Sequence, residues 1–217
     1  MAVQVDKIVS ILKKEVKNYT TPIVTEVKDD THDPYQVLIS CLISLRTKDE
    51  VTRDAFHRLF NVADTPKKIA ALPVSRIEKL IYPAGFYKTK AWKIKAISKE
   101  LVDKHNSRVP DEIDDLLKFD GVGRKTANLV VTLGYNKPGI CVDTHVHRIS
   151  NRFGYVKTKT PNDTEFALRK KLPKEHWIVY NDLLVTWGQN VCKPISPMCS
   201  ICKIRKYCNR VGVEVSR

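Results

Sequence analysis

The stretch FDGVGRKTA, Phe119 to Ala127, decides how the rest of the chain is read. Gly121 and Gly123, one residue apart, permit a tight turn in backbone conformations that other residues resist, and they leave no side chain to keep a phosphate away. Upstream, Asp111 to Lys118 reads as a helix; downstream, a second helix continues to about Leu133. The N–H groups at the start of that second helix would face an anion with the positive end of the helix dipole behind them, and Arg124 adds a full charge. A plain helix-to-helix turn explains Gly-x-Gly alone equally well. The flanking helices and the charge of the whole chain tip the reading toward nucleic acid.

That charge is large. Lys and Arg number 38 against 24 Asp and Glu, a net +14 over 217 residues. Such a balance sets the class of partner, a polyanion, without setting the chemistry. Charged residues interrupt the apolar N-terminus, so no signal-peptide core is present, and the longest apolar stretch, Val37 to Leu45, is too short to span a bilayer. A soluble, cytoplasmic protein with no membrane association is expected.

Nearly every segment has helical periodicity and strand alternation is almost absent, which predicts an all-α protein. Val5, Ile8, Val9, Leu12 and Val16 form one stripe. Asp33-Pro34 opens a nearly all-apolar helix with a capping residue followed by proline. Further starts are expected at Thr65-Pro66, at Ser75 with Glu78 as a capping box, at Asp111 and at Thr160-Pro161. Between Lys88 and His105, Ala91, Ile94, Ile97 and Leu101 share one face, and the lysines elsewhere read as a solvated surface. Trp92, Trp177 and Trp187 are expected in the core. A composition shift at Asn136-Lys137-Pro138-Gly139 marks a boundary between a helical part and a C-terminal part.

Two further constellations carry chemistry. Lys125 follows the glycine turn directly, and Asp143 lies in CVDTHVHR, Cys141 to Arg148. A primary amine can attack the anomeric carbon of a nucleotide and form a Schiff base. A carboxylate nearby can move protons and stabilise the cationic sugar. The plain alternatives are a solvated lysine and a helix N-cap. His145 and His147, two residues apart on a helix, would diverge rather than converge on a metal. Of six cysteines, four crowd into Cys192-x6-Cys199-x2-Cys202-x5-Cys208, while Cys41 and Cys141 sit alone in apolar surroundings. Clustering of this kind points to metal over disulfides. Either one zinc or a cubane cluster would staple this tail, and a single Cys-x2-Cys pair leans toward [4Fe-4S].

With these pieces in order, the chain resembles the endonuclease III family of helix-hairpin-helix glycosylases from about Ile8 to Cys208, in FDGVGRKTANLVV, CVDTHVHRISNRFG and the cysteine spacing. The resemblance implies two α-helical domains flanking a DNA-binding cleft: a helical barrel with the hairpin, 27–137, and an iron–sulfur domain formed by 1–26 and 138–217. It implies Lys125 as nucleophile, Asp143 as essential carboxylate, and Gly121, Val122, Gly123 and Arg124 as a phosphate-gripping hairpin. Cys192, Cys199, Cys202 and Cys208 become the ligands of a structural [4Fe-4S] cluster. Arg46 and Phe86 match the two loop positions that wedge into DNA, although many relatives carry glutamine at the first and Phe86 reads equally as a core aromatic. The implied partner is duplex DNA with damaged pyrimidines or abasic sites, bound by a monomer. The implied activity is bifunctional: release of an oxidised pyrimidine flipped from the stack, then strand cleavage by β-elimination. A hydrolytic mismatch glycosylase with Lys125 idle and a zinc-stapled, non-catalytic DNA binder are the rivals.

Overall fold

The computed structural model describes residues 3–217. Its α-helices are α1 (Val5–Glu15), α2 (Ile23–Thr31), α3 (Pro34–Ser44), α4 (Asp49–Phe60), α5 (Pro66–Ala71), α6 (Val74–Ile81), α7 (Tyr87–Lys104), α8 (Ile113–Leu116), α9 (Arg124–Leu129), α10 (Thr144–Arg152), α11 (Pro161–Lys171) and α12 (Trp177–Asn190). There is no β-strand among the described residues, so the protein is all-α. It forms two compact units: a continuous one, Ile23–Lys137, and a split one, Met1–Pro22 with Pro138–Arg217.

In the continuous unit α3 is the central element. The Asp33 carboxylate accepts the Tyr35 N–H at 2.8 Å, and Pro34 fills a first-turn position whose N–H would have no partner. Tyr35 and the whole run Val37 to Ile43 are buried, against α2, α4, α7 and α9. The longest helix, α7, buries Ala91, Ile94, Ile97 and Leu101 and packs on α5 and α6. Thr65 caps α5 as its sequence predicts. Two expected starts are corrected. No Ser75 capping box forms, because α6 starts two residues earlier, with Pro73 at its N-cap and no side-chain cap. The helix expected from Asp111 to Lys118 shrinks to α8, four residues from Ile113; three acids in its vicinity, Glu112, Asp114 and Asp115, favour its N-terminus but only Leu116 anchors it in the core.

The split unit begins with α1. An isolated helix of this length is marginal in water. Its buried face, Val5, Ile8, Val9 and Leu12, contributes about 1.5–3 kcal/mol per fully buried side chain, so docking rather than propensity holds it. That face lies on α12, whose Leu184 and Trp187 belong to the same core. Thr160 and Asp163 form a reciprocal capping box at the start of α11. Trp177 and Trp187 are buried as expected, and Trp177 Nε1–H donates to the Leu172 carbonyl at 2.8 Å. Trp92 is not a core residue: it is 64% exposed on α7, whose inward stripe is already filled by Ala91 and Ile94.

Candidate active site

The glycine turn lies between α8 and α9 in the continuous unit. The Val122 N–H closes it on the Phe119 carbonyl at 3.0 Å, with Phe119 and Val122 buried beneath. Gly121 has φ +90°, a conformation that strains any other residue, and a β-carbon there would lie 2.6 Å from Lys93 Cδ and displace that side chain. Gly123 is the N-cap of α9 and has nothing within 4 Å of where its β-carbon would be: the space above the helix start is open. Thr126, Ala127 and Asn128 fasten α9 inward, and the helix widens into a π turn over Val130–Gly134 rather than running on as regular α-helix. Lys125 is half-buried in the first turn of α9. Its charge is felt by the buried Cys41 thiol; burial pushes that thiol up to about 12, and the lysine ammonium works in the opposite direction.

Arg46, Phe86 and Gly121, far apart in sequence, line one depression of about 320 Å³, together with Lys90 and Lys93. Phe86 is 63% exposed, which removes its reading as a core aromatic. Arg46 and Phe86 both have left-handed backbone, φ +53° and +59°. The Arg46 guanidinium lies over the Phe86 ring, 5.5 Å from its centroid. Lys90, which the sequence places among solvated lysines, is instead buried; its Nζ donates to the Ile43 and Leu45 carbonyls, each at 2.6 Å, and to Thr47 Oγ1 at 2.9 Å. Burial pushes its ammonium down to about 8. No periodicity signal could have found it, since a lysine that ends a helix by hydrogen bonding looks like any other lysine in a chain with this composition.

Asp143 belongs to the split unit, where it is the N-cap of α10: its Oδ1 accepts the N–H groups of His145 at 2.8 Å and Val146 at 2.9 Å. The capping reading therefore holds, and it fixes the carboxylate at the positive end of a helix. His147 Nδ1 meets Thr164 Oγ1 on α11, whereas His145 Nδ1 meets the Arg148 guanidinium, so the two rings serve different partners. Arg148 reaches the Cys192 carbonyl at 2.8 Å; Arg152, one turn on, donates to the Lys193 and Pro194 carbonyls at 2.8 and 2.9 Å.

Those contacts lead into the cysteine loop. Cys192, Cys199, Cys202 and Cys208 form no disulfide, and all four line one small cavity walled by Ile149, Phe153 and Trp187. The buried Trp187 indole N–H at that wall faces the Cys202 sulfur and favours its thiolate form. A tetrahedral zinc with ~2.3 Å bonds needs its sulfurs roughly 3.8 Å apart. No three of these sulfurs all lie within 4.8 Å of one another; the group that does, among the described residues, is Asp6, Glu175 and His176. Four thiols around one cavity form the candidate site for a metal ion or a metal cluster. Burial raises the Cys202 thiol to about 11 and also raises that of Cys208, and a bound cation would favour their thiolate forms.

No helix among the described residues is long and apolar enough to cross a membrane. Residues 39–174 match the HhH-GPD superfamily base excision DNA repair protein model. The chain is 48% identical over 176 residues to endonuclease III of Thermotoga maritima, covering 81% of this chain and 83% of that one. It is 34% identical over 177 residues to endonuclease III of Bacillus subtilis, covering 81% of each. Among solved structures, a non-covalent endonuclease III–DNA complex superposes with TM-score 0.84 at 32% identity, covering 95% of this chain and 94% of that one. A trapped endonuclease III–DNA covalent intermediate superposes with TM-score 0.77 at 36% identity, covering 82% and 84%. A hairpin open above its second helix, a lysine in that helix's first turn, a carboxylate capping another and this degree of likeness lead to one assignment: the chain belongs to the endonuclease III family of the HhH-GPD superfamily and is a base excision DNA repair glycosylase.

Proposed function

We propose that this glycosylase is bifunctional, removing oxidised pyrimidines from duplex DNA through a Schiff base on Lys125 and then nicking the strand at the abasic sugar. The Lys125 amine attacks C1′ of the damaged nucleotide; the glycosidic electron pair leaves with the base, which takes up a proton, and the sugar ring opens to an iminium ion. Loss of a proton from C2′ then expels the 3′ phosphate. Asp143 supplies the carboxylate that offsets the cationic sugar and moves protons. Gly121, Val122, Gly123 and Arg124 hold the phosphate backbone, and Arg46 and Phe86 occupy the gap that the extruded base leaves. Cys192, Cys199, Cys202 and Cys208 hold a [4Fe-4S] cluster whose part is to order the C-terminal tail. The protein acts as a monomer.

The observation that carries this reading is the half-buried Lys125 in the first turn of α9, two residues beyond the open Gly123. Likeness to an endonuclease III trapped covalently on DNA supports it. The test is borohydride trapping on a duplex carrying one oxidised pyrimidine. Wild-type protein should give a covalent adduct, and Lys125→Ala should give none while still binding the duplex. Base release that persists in Lys125→Ala, without an adduct in either protein, would instead establish hydrolysis by water and Asp143.

A further inference from the structure

The two loops that carry Arg46 and Phe86 are joined to one another in a way that the reaction does not require of either alone. Thr47 Oγ1 accepts the Gly85 N–H at 3.0 Å. Gly85 is pressed against the first loop: a β-carbon there would lie 2.6 Å from the Arg46 carbonyl oxygen. Phe86 follows Gly85 directly, and its carbonyl accepts the Lys90 N–H at 3.0 Å, so the Phe86 loop is the first turn of the helix that bears Lys90. The Lys90 side chain then returns to the other loop, where the end of α3 presents the Ile43 and Leu45 carbonyls. These belong to the negative end of a helix, where an ammonium is favoured. Its third bond goes to Thr47 Oγ1, the atom that also receives the Gly85 N–H.

We infer that Lys90 is a positioning residue for base extrusion: by capping α3 and gripping Thr47 it holds Arg46 and Phe86 in register as one wedge. This rests on the reading that Arg46 and Phe86 enter the duplex. A buried ammonium with three acceptors fixes both loops at once, whereas a solvated lysine would fix neither. Because both wedge residues sit in left-handed backbone, they depend on surroundings that over-determine their conformation. Lys90 and Thr47 supply that constraint.

The experiment uses the full chain and a duplex bearing a tetrahydrofuran abasic analogue opposite 2-aminopurine, whose fluorescence rises when it is unstacked. Wild-type protein should brighten the probe on binding. Arg46→Ala and Phe86→Ala should each remove most of that rise, which tests the wedge itself. Lys90→Met, of similar length without donors, should also remove it and slow single-turnover base excision by about tenfold or more, the scale on which small misplacements act. Its affinity for undamaged duplex should remain within about twofold, since phosphate contacts elsewhere supply nonspecific binding. Thr47→Val, which buries no new charge defect, should weaken the fluorescence rise to a smaller degree. If the Arg46 and Phe86 variants brighten the probe like wild type, the wedge reading falls and this inference with it. If those two lose the signal while Lys90→Met and Thr47→Val keep it, the wedge stands and Lys90 does not position it. Equal loss of undamaged-duplex binding in Lys90→Met, together with an unchanged signal in Thr47→Val, would assign Lys90 to stability alone.

Discussion

At Gly188 a single added methyl group would lie 2.3 Å from His145 Nδ1 and 2.9 Å from the Arg148 guanidinium. Neither can withdraw freely, because Arg148 is committed to the Cys192 carbonyl and His145 sits two residues after the Asp143 cap. Gly188→Ala should therefore destabilise the protein by about 1–3 kcal/mol, the usual cost of overpacking, and lower Tm in thermal denaturation. An unchanged Tm would mean that α10 and α12 separate without penalty. How legible such residues are depends on whether their chemistry is carried by type or by place. Lys125, Asp143 and the four clustered cysteines become candidates through local strings of residues and through the family resemblance that those strings carry. Lys90 does not, since its role comes from carbonyls more than forty residues away, and Trp92 misleads because an apolar surface area says nothing about which side of α7 it covers.

Between elements, the clearest electrostatic tie joins α2 to α4. Arg53 Nε lies 3.0 and 3.2 Å from the two Glu26 carboxylate oxygens, with a further close bond from its second nitrogen. That hydrogen bonding holds the Glu26 carboxyl below its ordinary value of 4.5. A carboxylate depressed in the folded state contributes stability that is present above the unfolded value and is lost as pH falls through the folded one. Stability should thus decline below about pH 4.5 partly through this pair, and Arg53→Met should flatten that part of the acid dependence in denaturant titrations at several pH values. Identical acid limbs in both proteins would show the pair to be inert, as many partly exposed pairs are. Helices were legible where side chains cap them: Asp33-Pro34, Thr65-Pro66 and Thr160-Pro161 each begin one. By contrast α4 and α12 have no side-chain cap, and α6 starts behind Pro73 instead of at the Ser75 motif. Packing alone decides those ends, and packing is not written locally.

Over the whole molecule the net charge of +14 predicts binding that weakens with salt, with a log–log slope of about −0.9 per phosphate contact. A flat response in equilibrium binding would remove the phosphate-gripping role of the hairpin. Chelation of the proposed cluster's iron should expose 192–217 to hydrogen exchange while leaving α3 protected, because Tyr35 and Val37–Ile43 have a core that involves none of the four clustered cysteines. Equal loss of protection in both places would give the cluster a global role. An all-α protein was legible from periodicity, and the hairpin from the resemblance carried by the glycine turn and its neighbours. Which helices share a core was not, because an apolar stripe specifies burial without specifying a partner.

The division of the split unit has a consequence for synthesis on the ribosome. The first helix leaves the exit tunnel early, but the face formed by Ile8, Val9 and Leu12 waits for α12, some 170 positions later. At about 5–20 residues per second that delay lasts roughly 10–30 s. During it, residues 23–137 emerge complete and can close their own core, while the α1 segment, marginal as a helix by itself, remains an unsatisfied apolar stretch attached to them. Its Lys13, Lys14 and nearby Lys17 keep that stretch flanked by charge while it waits.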